Sequence, residues 1–259
     1  MKLLVDIGNS RVKWATLDDG RLGAQQAASY AGWTRDDWRR SLLAAPGINE
    51  VLVASVSVAP SAALDAAVEV ATGRRANFVS TSREAGGVRN AYREPWLLGV
   101  DRWLAIIAGH AATQGACCVA DVGTAATFDS VTASGEHLGG FIIPGPGLMV
   151  NSLHGGTADL AGHSAASGES GDALLADNTR DAIERGCRLA VAALIDRGVA
   201  DVKSRLGQQP ALLLTGGAAA TVAPLVRSRV TLVPDLVLRG LALLSGAGIP
   251  NYGGKPQSE

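Results

Sequence analysis

Two turns with the pattern Asp-x-Gly carry residue types that could bind a polyphosphate. The first begins at Asp6 and the second at Asp121, and each directly follows an apolar run that predicts a strand. The glycines at the third position, Gly8 and Gly123, let backbone N–H groups approach an anion closely. A carboxylate does not favourably face a phosphate alone, but a bridging Mg²⁺ reconciles the two in one site. The pattern is therefore typical of phosphate-binding turns.

The residues around the two turns strengthen this interpretation. Taken singly, either turn is more typical of an ordinary tight hairpin. Two copies in matched surroundings favour a shared function. The first turn also adds donors and positive charge, and the second adds a hydroxyl. These residues are Asn9, Ser10, Arg11, Lys13 and Thr124.

A third candidate is the segment from Gly99 to Arg102, at the start of a predicted helix. A carboxylate at this position, Asp101, lies near the positive end of the helix dipole, which favours its ionised form. Such a group could orient or deprotonate an alcohol, and Arg102 could bind a substrate carboxylate or phosphate. The same residues are equally typical of an acidic helix start that only stabilises the helix. The local sequence leaves both interpretations open.

The elements that must position these residues recur in one order. Each turn lies between two predicted strands, and a third strand, a helix and a further strand follow. The predicted strands are 2–8, 11–17 and 21–29 around the first turn, and 117–122, 126–132 and 137–143 around the second. We therefore expect an α/β fold with an internal duplication, in which each half is a mixed sheet with helices. The boundary near residue 115 gives halves of 1–115 and 116–259, with a cleft between them.

The other predicted strands, helices and loops belong to the same two halves. A buried strand is predicted at 211–214, and it ends in Gly216 and Gly217, which leave room for a flat ring or a ribose against the backbone. The segment 80–98 has little periodicity and is typical of a functional loop. The tail from about residue 250 is expected to be flexible. Helices are predicted at 34–44, 60–71, 99–112, 176–197, 218–227 and 236–244, and further strands at 51–58 and 231–233.

Composition excludes several classes of protein. The 259 residues include 23 basic and 24 acidic side chains, a balance that argues against a nucleic-acid surface. Neither a Walker A nor a Gly-x-Gly-x-x-Gly pattern is present. The three cysteines and four histidines lack zinc spacing, and the histidines are expected to be surface or structural residues. With no signal peptide and no expected membrane span, the sequence predicts a cytoplasmic protein.

The turns and the helix start together resemble a known group of kinases. The two Asp-x-Gly turns and the strand ending in Gly-Gly are similar to the two phosphate motifs and the adenosine motif of the acetate and sugar kinase and actin superfamily. Within it, the sequence most resembles the type III pantothenate kinases. The segments that carry this resemblance are Asp6–Lys13, Gly99–Arg102, Asp121–Asp129 and Asn178–Gly186. The resemblance implies two ribonuclease H-like halves, the duplication of the actin-like ATPases.

The resemblance also implies roles for individual residues. Asp101 matches the catalytic base, Asp121 the ligand of a monovalent cation (K⁺ or NH₄⁺), and Thr124 a contact to ATP. Asp6 would in addition hold Mg²⁺ through the phosphates. The first ATP-binding loop would consist of Asp6, Ile7, Gly8, Asn9, Ser10, Arg11, Val12 and Lys13. The pantothenate pocket would include Tyr92, Gly99, Val100, Arg102 and Thr179.

The implied reaction is the ATP-dependent phosphorylation of pantothenate to 4′-phosphopantothenate, the first step of coenzyme A biosynthesis. Transfer would proceed in line, with ATP·Mg²⁺ as the donor and Asp101 as the base. The resemblance further implies a homodimer whose second subunit partly closes the pocket. Two alternatives remain open at this point. One is a kinase of the same superfamily that acts on another small alcohol, and the other is a non-catalytic regulator that retains the nucleotide fold.

Overall fold

The computed structural model describes residues 1–156 and 174–246. The strands are β1 (Lys2–Ile7), β2 (Arg11–Asp18), β3 (Arg21–Leu22), β4 (Gln26–Ser29), β5 (Glu50–Ser55), β6 (Asn77–Phe78), β7 (Glu84–Ala85), β8 (Val88–Arg89), β9 (Cys117–Val122), β10 (Ala125–Val131), β11 (His137–Pro144), β12 (Ala211–Thr215) and β13 (Val230–Leu232). The helices are α1 (Arg35–Leu42), α2 (Val58–Thr72), α3 (Val100–Thr113), α4 (Pro146–Gly156), α5 (Thr179–Leu206), α6 (Ala219–Val222) and α7 (Leu236–Leu244).

The chain forms two compact units. The second consists of Ala116–Ser130 and Gly139–Pro234, and the first contains the rest. The predicted halves, 1–115 and 116–259, refer to an internal duplication and not to compactness, so that they stay a prediction. The contacts group the chain differently in two places, because Val131–Leu138 and the chain from Asp235 onward belong to the first unit. In that unit α7 packs on α3 and on β1.

The sheet of the first unit has β1 at its centre. The strand order is β3-β2-β1-β5-β6, and β4 also pairs with β2. β1 runs antiparallel to β2 and parallel to β5, so that the sheet is mixed. Its five residues from Leu3 to Ile7 are all buried. Such an unbroken buried run is typical of a strand with helices on both faces.

The sheet of the second unit repeats this arrangement strand by strand. Its order is β11-β10-β9-β12-β13, so that β9 occupies the position of β1, and β12 that of β5. β12 runs parallel to β9, as β5 does to β1. In both units the strand that leads into an Asp-x-Gly turn is therefore central. Two mixed sheets with helices confirm the predicted α/β class.

Helix α3 is buried over most of its length in the first unit. Nine consecutive or near-consecutive residues between Val100 and Gly109 are buried, among them Trp103, which is fully buried. Its neighbour α7 approaches closely because Gly240 has no side chain. A Cβ at Gly240 would lie 2.8 Å from both the carbonyl carbon and the Cβ of Leu104. The backbone of α3 therefore occupies the space that a side chain on α7 would need.

Several predicted elements differ from the observed ones. No helix is predicted between residues 143 and 176, but α4 begins at Pro146, a residue that suits the first turn of a helix because it has no N–H to pair. The predicted helix 218–227 is shortened to α6 and a 3₁₀ turn at Ala223–Leu225, because Pro224 cannot continue the α-helical hydrogen bonds. The predicted strand 21–29 is divided into β3 and β4.

Other expectations concern the cysteines, the membrane and the tail. Cys117, Cys118 and Cys187 are buried free thiols, and burial raises the pKa of both Cys118 and Cys187. No helix within 1–156 or 174–246 combines the length and apolar character that crossing a membrane requires. The tail predicted to be flexible from about residue 250 lies outside the described residues.

The contact between α3 and α7 yields a prediction about stability. Gly240→Ala should lower the free energy of unfolding by about 1–3 kcal/mol, since overpacking against backbone outweighs the roughly 1 kcal/mol that alanine gains in a helix. Urea unfolding measures this change. Gly186→Ala in α5 is the matched control, because nothing lies within 4 Å of its added methyl, and it should raise stability by about 0.5–1 kcal/mol. A Gly240→Ala protein as stable as the wild type would contradict the packing argument.

Candidate active site

The first Asp-x-Gly turn connects β1 to β2. Its backbone is closed by a hydrogen bond from Gly8 N–H to the carbonyl oxygen of Arg11, 3.0 Å long. Asp6, which is 6% exposed, lies opposite Lys13 in the β1–β2 pair, and its carboxylate is 3.8 Å from the Lys13 ammonium group. Ile7 and Val12 are fully buried and offer only backbone groups to a ligand.

The tip of this turn faces solvent. The side chains of Asn9, Ser10 and Arg11 are exposed. Hydrogen-bond donors and the positively charged Arg11 side chain are therefore accessible at the tip, while the Asp6 carboxylate lies at the base of the turn beside the Lys13 ammonium group. This arrangement suits an anionic ligand that binds at the tip, with a metal ion between the ligand and Asp6.

Tyr30 holds the turn from the neighbouring strand, and sequence reasoning missed it. Its hydroxyl lies 2.7 Å from the carbonyl oxygen of Gly8 and 2.8 Å from that of Asn9, and it donates to these oxygens. Tyr30 comes directly after β4, which pairs with β2 so that Ser29 lies opposite Arg11. Knowing that the third predicted strand pairs with the second would have placed Tyr30 beside the turn.

The second Asp-x-Gly turn connects β9 to β10 and is also closed by its glycine. Gly123 N–H donates to the carbonyl oxygen of Ala125, two residues ahead, over 3.0 Å, whereas Gly8 donates to a residue three positions ahead. In the first unit Val56 N–H donates to Ile7, and in the second Ala218 N–H donates to Val122. Thr124 is exposed at the turn. The two units thus share a turn closed by a glycine N–H as well as strand order, although the pairing of the turns differs in detail.

The Asp121 carboxylate lies against the backbone of Gly216. A Cβ on Gly216 would lie 2.5 Å from the carbonyl oxygen of Val122 and closer still to Oδ1 of Asp121. The backbone angle φ of Gly216 is +98°, which also favours glycine. Because Gly216 has no side chain, Oδ1 of Asp121 and the carbonyl oxygen of Val122 both lie close to its backbone.

The third predicted segment forms the first turn of α3. Gly99 is the N-cap, and Oδ1 of Asp101 accepts a hydrogen bond from Arg102 N–H over 2.8 Å. A Cβ on Gly99 would lie 2.6 Å from that same oxygen. Val100 is 8% exposed and packs inward. The glycine thus leaves the space in which the Asp101 carboxylate lies.

Tyr92 and Arg102 lie together in the first unit. The Arg102 guanidinium donates to the Tyr92 hydroxyl over 3.1 Å, and its central carbon lies 5.9 Å from the centre of the Tyr92 ring. Arg102 is 6% exposed. This polar contact therefore joins two residues that are ten positions apart in the chain, and one of them, Arg102, directly follows Asp101.

Thr179, the last predicted site residue, begins α5 in the second unit. The helix is capped by Asn178, whose side chain accepts a hydrogen bond from Asp181 N–H over 3.0 Å. Thr179 is exposed. The described residues contain no group of three or more His, Cys, Asp or Glu side chains that could hold a metal ion.

The fold is shared with solved structures of low sequence identity. A candidate 2-dehydro-3-deoxygalactonokinase from Sinorhizobium meliloti has a TM-score of 0.53 at 16% identity, covering 95% of this chain and 98% of that one. A candidate Baf family transcriptional activator from Campylobacter jejuni has a TM-score of 0.55 at 21% identity, covering 94% and 98%. With the two mixed sheets, this likeness shows the fold alone, that of two ribonuclease H-like halves as in sugar kinases and actin-like ATPases.

Sequence comparison narrows the class to one family. The family model of type III pantothenate kinase matches residues 2–201. A type III pantothenate kinase from Nitrosococcus oceani is 39% identical over 257 residues, which cover 93% of this chain and 92% of the relative. The chain therefore belongs to the type III pantothenate kinase family, and the predicted resemblance is confirmed.

The contact between Tyr30 and the first turn predicts a local effect. Tyr30→Phe removes the hydroxyl but keeps the ring beside Trp38, whose ring centre is 5.6 Å away. We expect the free energy of unfolding to fall by about 0.5–1.5 kcal/mol, and amide hydrogen exchange at residues 8–11 to accelerate. Exchange at residues 123–125 of the second turn serves as the internal control. Unchanged exchange at 8–11 would show that the hydroxyl does not hold the turn.

Proposed function

We propose that this protein transfers the γ-phosphoryl group of ATP to pantothenate and forms 4′-phosphopantothenate, the first step of coenzyme A biosynthesis. The observation that carries the proposal is the family match over residues 2–201, a range that includes every proposed site residue. The start of α3 supports it, because consecutive residues there carry a carboxylate and a guanidinium, and the Asp101 carboxylate accepts a hydrogen bond from the Arg102 backbone N–H. An alcohol and a carboxylate are the two groups of pantothenate that such a pair would bind.

Asp101 is the proposed catalytic base. Its Oδ1 accepts the Arg102 N–H, which fixes the carboxylate and leaves Oδ2 as the proposed acceptor of the proton from the primary hydroxyl. Removing the proton as the phosphoryl group arrives makes the oxygen a better nucleophile.

The proposed pantothenate pocket surrounds this carboxylate. Arg102 is proposed to bind the pantothenate carboxylate with its guanidinium, since charge-assisted hydrogen bonds of this kind are strong. The Tyr92 hydroxyl accepts a hydrogen bond from the same guanidinium. Gly99 and Val100 contribute backbone, and Thr179 is proposed as a further contact at the start of α5.

The first turn is the proposed ATP-binding loop. Backbone N–H groups and the side chains of Asn9, Ser10 and Arg11 would bind the phosphates, with Lys13 adding positive charge and Thr124 a contact from the second turn. Asp6 would hold Mg²⁺ through the phosphates. That ion suits a site with few protein ligands, because Mg²⁺ keeps several waters, and when bound it neutralises charge on the phosphates.

Asp121 is proposed to hold a monovalent cation, K⁺ or NH₄⁺. Its Oδ1 and the carbonyl oxygen of Val122 both lie against the space left by Gly216. Oxygen ligands of this kind fit such a cation, which would supply positive charge near the phosphates. The residues present are therefore suited to the ion that the family resemblance implies.

Three broader features belong to the same proposal. We propose a duplicated chain with halves near 1–115 and 116–259, a cytoplasmic location and a homodimer whose second subunit partly closes the pocket. Exposed apolar side chains in the second unit support an interface there. Leu148 and Leu153 on α4 are 45% and 42% exposed, and Leu175 before α5 is 84% exposed.

The reaction is tested by ADP release with ATP, Mg²⁺ and K⁺, with and without pantothenate. We expect release that depends on pantothenate, and Asp101→Asn should lower kcat by about 10²–10⁴-fold, the loss expected for a general base. Asp201→Asn is the matched control, because Asp201 is an exposed residue paired with Arg205 on α5, and it should retain full turnover. A wild-type protein that phosphorylates another small alcohol but not pantothenate would contradict the proposal, as would a fully active Asp101→Asn variant.

The cation role has its own test. Replacing K⁺ with Na⁺ or Li⁺ at constant ionic strength should lower kcat/KM by about tenfold, equivalent to roughly 1.4 kcal/mol of transition-state stabilisation. Asp121→Asn should remove most of this difference between cations, because it removes the ligand charge. Equal activity of the wild type in all three salts would contradict the role of Asp121.

A further inference from the structure

The segment that carries Tyr92 lacks regular secondary structure but is extensively hydrogen-bonded. Asn90, which is 2% exposed, accepts a hydrogen bond from Tyr92 N–H over 3.0 Å and donates to the carbonyl oxygen of Pro95 over 3.3 Å. The Arg83 guanidinium donates to the carbonyl oxygens of Tyr92 and Arg93, each over 2.6 Å. The backbone on both sides of Tyr92 is therefore fixed by buried or charged groups.

The Tyr92 ring is in contact with His137 as well as with Arg102. His137 begins β11, in the part of the hairpin that belongs to the first unit, and is 4% exposed. Its imidazole is stacked on the Tyr92 ring, with an angle of 13° between the planes and 6.3 Å between the centres. Its Nδ1 accepts a hydrogen bond from Ala91 N–H over 3.4 Å. His137 thus contacts both the ring of Tyr92 and the backbone directly before it.

These contacts form a continuous series from His137 to the proposed pocket. The imidazole stacks on Tyr92, and the Tyr92 hydroxyl accepts a hydrogen bond from Arg102. The hydroxyl reaches the guanidinium only while the ring keeps this orientation, since its direction is set by two side-chain torsions. A ring that turned away would deprive a nearly buried guanidinium of one acceptor, which is unfavourable.

We propose that His137 is a positioning residue for substrate binding, which orients Tyr92 and through it the Arg102 guanidinium. The proposal rests on the proposed function, in which Arg102 and Tyr92 bind pantothenate. His137 touches neither substrate nor the reacting atoms in this account. Its effect should therefore appear in the binding of pantothenate and not in the binding of ATP.

Three substitutions distinguish the stacking of His137 on Tyr92 from its hydrogen bond with Ala91 N–H. His137→Asn places an amide oxygen where Nδ1 was, so that it keeps an acceptor for Ala91 N–H but removes the stacked ring. His137→Phe keeps a ring but removes the acceptor, and His137→Ala removes both. His110→Phe is the matched control, because His110 lies in the last turn of α3, beside Gly87 and Gly135.

Steady-state kinetics on the full chain give the main readout. His137→Ala should raise KM for pantothenate about five- to tenfold, the effect of losing one hydrogen bond, while KM for ATP stays within about twofold. His137→Asn and His137→Phe should each produce a smaller rise, and the control none. In a Tyr92→Ala background, His137→Ala should change KM for pantothenate by less than about twofold, because its effect passes through Tyr92.

Amide hydrogen exchange provides a readout that needs no activity. His137→Ala should accelerate exchange at Ala91 and Tyr92 in the absence of substrate. If the wild type releases no ADP with pantothenate while this acceleration occurs, the proposed function fails and the positioning of Tyr92 stands.

Three results would overturn the role of His137. The first is an unchanged KM for pantothenate in a folded His137→Ala protein. The second is an equal rise in both KM values together with a loss of the folded fraction in all three variants, which would indicate a general structural role. The third is a full effect of His137→Ala in the Tyr92→Ala background.

Discussion

The close contact of α3 with α7 at Gly240 is the constraint on which the first unit depends. Because the Leu104 backbone occupies the space of a missing side chain, α3 lies directly on α7 and is buried along most of its length. A helix held this firmly has a fixed first turn. The Asp101 carboxylate and the Arg102 guanidinium project from that turn, so that their separation is set by the helix and not by a loop.

A second constraint acts through glycine at the two phosphate turns. The strands β1 and β9 occupy equivalent positions in their sheets, and each carries an aspartate as its next-to-last residue, before a closed turn. The turns differ in what supports them. Tyr30 binds the backbone of the first, whereas Gly216 brings the end of β12 against the Asp121 carboxylate in the second. Two sheets with the same strand order thus support one turn that is proposed to bind phosphate and another that is proposed to bind a cation.

Sequence reasoning located the central strands and the charged groups well, because these signals are local. The buried run of β9 was predicted with the observed bounds, and so was α7. Asp6 and Asp121 lie near the ends of strands, and Asp101 lies near the start of a helix, where the hydrophobic pattern changes. Such positions can be read from a short stretch of sequence.

The supporting residues could not be predicted in this way, because their contacts join distant parts of the chain. Tyr30 binds a turn 22 residues earlier, and His137 binds a backbone group 46 residues earlier. The histidines were expected to be surface or structural because they lack metal spacing, a criterion that says nothing about stacking on a tyrosine. The helix α4 was missed because proline and glycine at its start are equally typical of loops.

The central claim is that a carboxylate fixed in the first turn of α3 accepts the proton of the substrate hydroxyl, and Gly99→Ala tests it most directly. The added methyl would lie 2.6 Å from Oδ1 of Asp101 and must displace the carboxylate. Gly115→Ala, whose methyl would meet nothing closer than 3.7 Å, is the control just beyond the other end of the helix. The account predicts a loss of kcat of about 10²-fold for Gly99→Ala, the size expected for misplacing a catalytic group by about 1 Å, and little change for Gly115→Ala. Wild-type kcat in a folded Gly99→Ala protein would contradict it.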